Sequence, residues 1–382
     1  MSKNIYLDYA AATPMDSSVR QAMEPYFSDN FYNPSATYLA GQKARSALND
    51  ARTLIAGHLG SRPAEVVFTA GATEANNLAI QGVMRQFPDG EVLVSAVEHE
   101  SVLAPAGLFN CQQVPADKQG IVDLAKLESL LSDETVLVSV MYVNNELGSL
   151  QPLSEISQIL NKLSKSRKSR GNDRPLYLHV DAAQAPNYLD LHVARLGVDF
   201  LSLNGGKIYG PKQSGVLYIK TGSQLQPQIL GGGQEWSYRS GTENVPAAVG
   251  LATALELAQS KRSDETPRLK ALRNLFIAGL ATKLPTATIN GSVKHTAPHI
   301  LSVTFASADN ERLMMQLDEA GVMCAVGSAC SASSQEPSHV LKAIGLSDTQ
   351  ARSTLRFSFG RDTSSTDIQA TLVLLERFVS EM

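Results

Sequence analysis

Short apolar runs alternate with helical patterns through the first two-thirds of this 382-residue chain. The clearest runs are TVLVSVMYV (135–143), PLYLHVD (175–181), DFLSL (199–203) and GVLYIK (215–220). Several are almost continuous in apolar residues, which is typical of strands buried on both faces of a parallel sheet. Helical patterns cover 35–57, 73–84 and 152–163. This alternation predicts an α/β fold in which helices wrap an open, mainly parallel sheet.

The pattern changes at SKRSDETP (260–267), where charges and a proline separate two helical stretches. The remainder combines strand-like HILSVTF and STLRFSF with helices, and its last helical pattern follows the possible capping residues Ser364 and Ser365. A chain of this length is more typical of two domains than of one. We therefore predict a large domain over 14–260 and a small α+β domain over 261–382, with an N-terminal arm over 1–13.

Composition narrows the function classes. The formal net charge of −4 argues against a nucleic-acid groove, so no direct nucleic-acid partner is expected. The three cysteines, at 111, 324 and 330, cannot all pair and fit no zinc-binding spacing. The N-terminal MSKNIYLDYAAATP lacks the long apolar run of a signal peptide or membrane anchor. We expect a cytoplasmic protein without a membrane partner and without a metal.

Polar residues cluster where the predicted strands end. Asp181 and Gln184 follow one strand, Lys207 follows the next, and His99 follows EVLVSAV. Ligands collect at the carboxyl ends of strands in an open α/β sheet. In FTAGATEANN, Thr73 stands at the start of a helix, and the small-residue turn before it offers free N–H groups to an anion such as phosphate.

These residue types fit the chemistry of pyridoxal 5′-phosphate. A lysine amine can form a Schiff base with an aldehyde, and an aspartate facing a pyridine nitrogen improves the electron sink. Each residue alone also fits a structural role: Asp181 as a helix cap, His99 as a core histidine and Lys207 as a solvated lysine. Lys212 and Lys220 are competing candidates for the reactive lysine.

Cys330 stands in AVGSACSASSQEPS, a stretch too small and too polar to build a core. Such a stretch is typical of a loop, and an exposed thiol can react. The alternative is a surface cysteine without a function. Cys111 and Cys324 lie in strand-like apolar surroundings and are expected to be inert.

Seven segments together resemble one protein family over nearly the whole chain. In order they are YLDYAAATP, FTAGATEANNLAI, VNNELGSLQP, HVDAAQ, KIYGPK, RSGTENV and GSACSASSQEPS. The chain resembles the cysteine desulfurases of the NifS/IscS type, in the class V aminotransferase group. The resemblance implies the aspartate-aminotransferase-like fold (fold type I) and pyridoxal phosphate as cofactor. It also implies conversion of L-cysteine to L-alanine and a homodimer that passes sulfur to an acceptor protein.

The resemblance implies roles for the residues around the cofactor ring. Lys207 matches the Schiff-base lysine, which also acts as the base. Asp181 matches the partner of the pyridinium nitrogen, Gln184 the donor to the ring hydroxyl and His99 the stacking imidazole. Asn145 matches a further residue of the cofactor and substrate site.

Other positions match residues that hold the phosphate, the substrate and the transferred sulfur. Thr73, with Ala72, Asn204 and Gly206 beside it, is expected at the phosphate, and Thr242 is expected to reach it from the second subunit. Arg356 matches the arginine that binds the substrate carboxylate through its planar fork, with Asn33 assisting. Cys330 matches the cysteine that accepts the sulfur as a persulfide.

Some positions depart from the family pattern. Gly206 replaces the usual histidine, Asn204 a serine, and Gln234 and Tyr38 further histidines; the sequence ends at ERFVSEM, without the tail that some members use to hold an iron–sulfur scaffold. The basic segment 162–175 predicts a solvated loop, or alternatively a partner-docking loop. Two alternative functions stay open: a related lyase or transaminase, for instance one acting on selenocysteine, and a dimeric scaffold that has lost catalysis. The sequence leaves three destinations of the sulfur open: iron–sulfur cluster assembly, tRNA thiolation and DNA modification.

Overall fold

The computed structural model describes residues 4–306, 308–327 and 336–381. The strands in these residues are β1 (Ile5–Tyr6), β2 (Val66–Thr69), β3 (Glu91–Ser95), β4 (Asn110–Val114), β5 (Thr135–Ser139), β6 (Tyr177–Asp181), β7 (Phe200–Asn204), β8 (Gly215–Ile219), β9 (Thr288–Asn290), β10 (Ile300–Thr304), β11 (Val322–Met323) and β12 (Thr354–Ser358). The α-helices are α1 (Ser17–Met23), α2 (Leu39–Leu59), α3 (Ala72–Gln86), α4 (Glu100–Ala106), α5 (Leu124–Leu130), α6 (Leu153–Ser169), α7 (Val193–Leu196), α8 (Val245–Lys283), α9 (Asn310–Glu319), α10 (His339–Ala343), α11 (Asp348–Ala351) and α12 (Ser365–Ser380).

The main sheet has seven strands in the order β2-β8-β7-β6-β5-β3-β4. The pairs from β7 to β4 are parallel, whereas β8 runs antiparallel to both of its neighbours. Alternate residues of one strand enter different cores: Leu93 packs on one face of the sheet, and Val92 and Val94 on the other. Helices therefore cover both faces, and the predicted α/β class with a mainly parallel sheet is confirmed.

A second core lies around a smaller antiparallel sheet in the order β12-β10-β9. Its centre is aromatic, with Phe276 in edge contact with Phe357 at a ring-centroid distance of 4.9 Å. The N-terminal segment joins this core, because β1 pairs in parallel with β11 and Leu7 is fully buried there. Residues 5–7 are therefore part of the same core as β10 and β12.

Helix α8 contradicts the helix break that the sequence indicated near 260–267. It is continuous over 39 residues, with Pro267 inside it. Its first half buries Leu251 and Leu255 in the core of the main sheet, and its second half buries Leu269 and Phe276 in the second core. Burial at both ends outweighs the hydrogen bond that proline cannot make. The predicted domain division at 260/261 falls within this helix and stays a prediction.

The basic segment 162–175 is also more ordered than predicted. Helix α6 continues through it to Ser169, and the Arg167 side chain is buried and donates to the Ser132 carbonyl. The solvated-loop prediction is therefore wrong for the helical part of this segment. The periodicity that predicted the helix up to residue 163 does not extend visibly into the run of Lys, Arg and Ser.

The last helix follows its prediction, because Ser364 caps α12 by accepting from the Asp367 N–H. Within the described residues, no helix combines the length and the apolarity needed to cross a membrane.

Candidate active site

The predicted site residues meet at two adjoining cavities at the carboxyl edge of the main sheet. The larger cavity has a volume of about 720 Å³ and includes Gly206 in its lining. The smaller has a volume of about 30 Å³ and is lined by His99, Asn145, Asp181 and Gln184. Both cavities share the lining residues Ala72, Thr73, Asn204 and Lys207. Residues from five separate segments therefore lie around these two cavities.

A buried hydrogen-bond chain connects Asp181 with His99. The Asn76 Nδ2 group donates to Asp181 Oδ2 at 2.8 Å and to Ser101 Oγ at 2.9 Å. Ser101 Oγ lies 2.8 Å from His99 Nδ1, and the Ser101 N–H also donates to this nitrogen, at 3.0 Å. One amide nitrogen of Asn76 thus orients both the carboxylate and the imidazole. Asp181 is fixed further because its Oδ1 accepts from the Ala183 N–H at 2.9 Å.

These contacts define the tautomer and the charge of the His99 imidazole. Because Nδ1 accepts a backbone N–H, the ring proton must lie on Nε2. Burial lowers the pKa of His99, and the positive charge of Lys207 lowers it further, so the imidazole is neutral. The structure therefore presents a flat, uncharged ring beside the Lys207 amine.

Lys207 ends a short 3₁₀ turn, Gly205–Lys207, directly after β7. The turn is held from outside, because Asn187 Nδ2 donates to the Lys207 carbonyl at 2.9 Å and Thr13 Oγ1 donates to the Gly206 carbonyl at 3.1 Å. Lys207 lines both cavities, whereas Lys212 lines only the larger one. The other competing lysine, Lys220, pairs with Asp199 at 2.9 Å. The geometry favours Lys207 as the reactive amine.

The start of α3 forms the anion-binding end of the larger cavity. Gly71 precedes the helix with a φ of 133°, and no side chain among the described residues caps the helix. First-turn N–H groups lack partners within a helix, so those at Ala72 and Thr73 suit a phosphate. Across the cavity, the Gly206 N–H donates to Asn204 Oδ1 at 2.9 Å. The backbone donor of Gly206 is therefore already used.

Arg356 lies on β12 with its side chain only 3% exposed. Its Nη1 donates to the Asn145 carbonyl at 2.9 Å, and its Nη2 pairs with Asp8 Oδ1 at 2.6 Å. The Arg356 Nε is buried without a partner among the described residues. An unsatisfied donor on a buried guanidinium fits a carboxylate ligand, because a buried polar group is costly unless it is paired.

Three predicted residues within the described chain, Asn33, Thr242 and Arg356, line neither cavity. Thr242 and Asn33 are exposed, and Asn33 Oδ1 accepts from the Ser35 N–H at 2.8 Å. Cys330 lies outside the described residues. The two other cysteines have raised pKa values because of burial, with the pKa of Cys324 raised to about 12, so neither favours a thiolate.

Sequence reasoning missed Asn76, Ser101, Asp8 and His299. The first three lie in or beside the segments FTAGATEANN, AVEHES and YLDYAAATP, so their proximity to predicted residues was the available signal. His299 carries no such signal, because its contact with Gln184 spans 115 positions in the sequence.

The fold and the site define a class of protein. The chain belongs to the class-V aminotransferase family, whose sequence pattern matches residues 5–371. It is 38% identical to the cysteine desulfurase IscS of Dictyoglomus turgidum over 389 aligned positions, covering 100% of this chain and 96% of that protein. It is 39% identical to cysteine desulfurase IscS 1 of Archaeoglobus fulgidus, covering 99% of this chain and 97% of that one. A solved NifS-like protein superimposes with a TM-score of 0.90 at 30% identity, covering 99% of this chain and 100% of that one.

The cofactor of this family is pyridoxal phosphate, and the residues present fit it. The uncapped start of α3 supplies donors for a phosphate, and the buried Asp181 carboxylate supplies a counter-charge for a ring nitrogen. Neutral His99 supplies a flat surface, and Lys207 supplies the amine that an aldehyde requires.

Proposed function

We propose that this chain, a pyridoxal-phosphate-dependent cysteine desulfurase, converts L-cysteine to L-alanine and passes the sulfur to an acceptor as a persulfide on Cys330. The observation that carries the proposal is the convergence of Lys207, Asp181 and His99 on one cavity beside an uncapped helix start. Similarity to cysteine desulfurases over the full chain length supports the substrate.

The chain's own residues divide the work around the cofactor. Bound pyridoxal phosphate supplies an electron sink for charge on the substrate Cα. Asp181, held by Asn76 and the Ala183 N–H, would pair with the ring nitrogen, and His99, with its proton on Nε2, would stack on the ring. Lys207 Nζ would hold the cofactor and would also serve as the general base for the substrate Cα proton. Gln184 would donate to the ring hydroxyl, and Thr73, Ala72, Asn204 and Gly206 would surround the phosphate.

The substrate carboxylate binds at Arg356. Its Nε, which has no partner among the described residues, supplies one donor, and Asn145 and Asp8 hold the guanidinium in place from two sides. Asn33 is exposed and lines neither cavity, so its assisting role rests on the family resemblance alone. A fixed guanidinium plane selects a carboxylate by geometry as well as by charge.

The sulfur step balances without an added oxidant. The Cys330 thiolate attacks the substrate sulfur, so an S–S bond forms and the substrate Cβ–S bond breaks. The electron pair of the broken bond stays with the substrate carbon, which takes up a proton and becomes the methyl group of alanine. The product on the protein is a persulfide, which an acceptor thiolate can reduce by taking its outer sulfur.

Alanine release and persulfide mapping test this proposal. Incubation with L-cysteine should produce alanine and an alkylatable persulfide on the Cys330 peptide, as seen by mass spectrometry. Cys330→Ser should retain the cofactor and lose persulfide and sulfide formation, while Cys324→Ser serves as the matched control and keeps both. Normal turnover by Cys330→Ser would contradict the assignment, and turnover of selenocysteine alone would favour the lyase alternative.

A separate experiment tests whether Lys207 supplies the reactive amine. Lys207→Ala should lose the visible absorption of lysine-bound cofactor, and Lys212→Ala should keep it. Retention of that band in Lys207→Ala, with the cofactor mapped to Lys212, would contradict the assignment of the reactive lysine.

We further propose a homodimer. Large apolar side chains are exposed on two segments: Phe31, Tyr38 and Leu39 on the first, and Leu230, which is 80% exposed, and Trp236 on the second. Pro34 and Ser35 of the first segment line the same cavity of about 340 Å³ as Trp236 of the second, so the two segments are neighbours on the surface. An apolar surface of this kind marks an interface. Thr242 follows the second segment and is exposed, as a residue serving a partner's phosphate site would be.

We place the protein in the cytoplasm, since unpaired cysteines and persulfide chemistry suit a reducing compartment. The acceptor is an iron–sulfur scaffold or a thiolation enzyme. Radiolabelled sulfur from cysteine should appear on such a protein in cell extract, and no label should transfer from Cys330→Ser.

A further inference from the structure

The side-chain amide of Gln184 is held from two sides by groups outside the main sheet. Its Nε2 donates to the Ala10 carbonyl at 2.8 Å, and its Oε1 lies 3.2 Å from His299 Nε2. Gln184 also lines the smaller cavity with Asp181 and Lys207. The amide that faces the cofactor site is therefore oriented by the N-terminal segment and by a residue next to β10.

These contacts determine the proton positions. The Ala10 carbonyl can only accept, so the amide nitrogen must face it, and the amide oxygen must then face His299. Since this oxygen can only accept, His299 carries its proton on Nε2. One N–H of Gln184 Nε2 is used by Ala10, and the second N–H stays available.

His299 is built to be a neutral donor. It is 2% exposed and stacks on Tyr188 at a ring-centroid distance of 4.2 Å. Burial, with a contribution from the positive charge of Arg356, lowers its pKa to about 3. Its Nδ1 is buried without a partner among the described residues. Within these residues, the imidazole therefore makes its side-chain hydrogen bond to Gln184.

The Gln184 side-chain amide contacts two distant parts of the chain, the N-terminal segment at Ala10 and the segment before β10 at His299. His299 immediately precedes β10 in the second core, and its carbonyl accepts from the Phe359 N–H at 2.8 Å. The Ala10 N–H donates to Ser358 Oγ at 2.9 Å, so the N-terminal segment is fixed to β12 as well. The second core therefore supports the orientation of Gln184 from both sides.

We propose that His299 is a positioning residue for the cofactor, which locks the Gln184 amide so that its remaining N–H can donate to an acceptor oxygen on the cofactor ring. An amide without this lock can rotate by half a turn and present its own oxygen to that acceptor, which replaces an attraction with a repulsion. The inference rests on the proposed function only for the identity of the cofactor.

The test measures cofactor affinity of the cofactor-free protein, by fluorescence titration with pyridoxal phosphate, together with the pH titration of the visible absorption. His299→Leu removes the donor and should weaken affinity about 3- to 10-fold, the range for losing one net hydrogen bond. His299→Gln places an amide N–H near the former Nε2 and should restore most of the affinity. The pH midpoint of the absorption change should move in His299→Leu and return in His299→Gln.

A double-mutant cycle separates positioning from general destabilisation. In a Gln184→Leu background, His299→Leu should change affinity by less than about 2-fold, because the residue through which it acts is gone. Val303→Ala is the matched control: it removes buried volume from β10 without touching Gln184, and should lower thermal stability while keeping affinity.

Three results would overturn the inference: unchanged affinity in His299→Leu, an equal loss in the Gln184→Leu background, or the same loss in Val303→Ala. None of these measurements uses cysteine turnover. If the protein binds the cofactor but releases no alanine from cysteine, the proposed reaction is wrong. The affinity measurements then still decide whether His299 is a positioning residue.

Discussion

At the scale of single residues, Gly206 affects how many hydrogen-bond donors the site offers to a phosphate. The Gly206 N–H is committed to Asn204 Oδ1, so this residue offers no free donor to a phosphate. A Cβ at Gly206 would lie 3.4 Å from Asn204 Oδ1 and 3.5 Å from Lys212 Cγ, and its φ is not in the left-handed region. A Cβ at this position therefore makes only ordinary van der Waals contacts.

Gly206→His should tighten binding of pyridoxal phosphate. The imidazole adds a donor beside a dianion, and a hydrogen bond to a charged group contributes about 1.5–3 kcal/mol, or roughly 10- to 100-fold in affinity. Equilibrium titration of the cofactor-free protein measures the change. Gly206→Ala is the matched control, because it adds the Cβ without a donor and should bind no more tightly than the native protein. Unchanged or weaker binding in Gly206→His would contradict this account.

Two buried histidines predict how stability depends on pH. Burial lowers the pKa of His179 to about 4 and that of His299 to about 3, both from 6.5. Each is neutral in the folded chain and takes up a proton on unfolding below pH 6.5. The free energy of unfolding should therefore fall as the pH drops from 6.5 towards 4, by up to about 1.4 kcal/mol per pH unit for each histidine.

Urea unfolding of the cofactor-free protein at several pH values measures this slope. His299→Leu should reduce the slope over this interval, since one of the two groups no longer takes up a proton. An identical slope in the variant would show that His299 does not contribute to the acid sensitivity.

At the scale of elements, a short left-handed turn is held by a buried ion pair. Glu235, Trp236 and Ser237 have φ values of 47°, 58° and 66°, which side chains other than glycine rarely adopt. Glu235 accepts from both Arg52 Nη groups at 2.7 Å and from the Phe68 N–H at 2.8 Å. The turn projects Trp236 outward, next to the proposed dimer surface.

Glu235→Ala should lower the free energy of unfolding by about 3–5 kcal/mol, because it leaves the Arg52 charge buried without its partner. Glu128→Ala is the matched control on an exposed pair with Lys162, and should cost less than about 1 kcal/mol. Urea unfolding measures both. Equal effects would show that burial of the Arg52 pair is not what stabilises the turn.

Ser237→Gly should raise stability by up to about 1 kcal/mol, because glycine adopts the left-handed region without the steric cost of a Cβ. Thermal unfolding of the cofactor-free protein measures the change. A loss of stability would show that the Ser237 side chain contributes more than the strain costs.

Comparison of elements shows which parts of the fold were predictable. Strands β5 to β8 and the start of α3 were predictable because their apolar runs and small-residue turn are local features. The antiparallel direction of β8 and the continuity of α8 were not, since both depend on packing between distant segments. The strand-end residues Asp181 and Lys207 could likewise be found in the sequence because they follow local patterns, whereas His299 became visible only through its contact with Gln184.

At the scale of the whole molecule, the proposed homodimer would complete the site with a residue from a second copy. The cavity beside α3 includes Thr73 and Gly206, whereas Thr242 is exposed on the same loop that carries part of the apolar surface. If a second copy covers that surface, each site takes Lys207 from one subunit and Thr242 from the other. The apolar surface and the exposed threonine then have a common explanation.

Mixing of two inactive variants tests this shared site. Lys207→Ala lacks the amine, and Thr242→Asp places a carboxylate against the partner's phosphate, so neither alone should form lysine-bound cofactor. After unfolding and joint refolding, mixed dimers should contain one site with a native Lys207 and a native Thr242. The visible absorption of lysine-bound cofactor should therefore appear in the mixture, together with alanine release.

The control mixes Lys207→Ala with a Lys207→Ala/Thr242→Asp double variant, in which no native site can form. Sedimentation should show dimers in both mixtures, and substitution of Leu230 and Trp236 by aspartate should shift them towards monomers, because a charge on each replaces apolar area buried in the interface. Absorption that stays absent from the first mixture while dimers are present would place Thr242 in its own subunit's site or in none. Native activity in a monomer would rule out the shared site altogether.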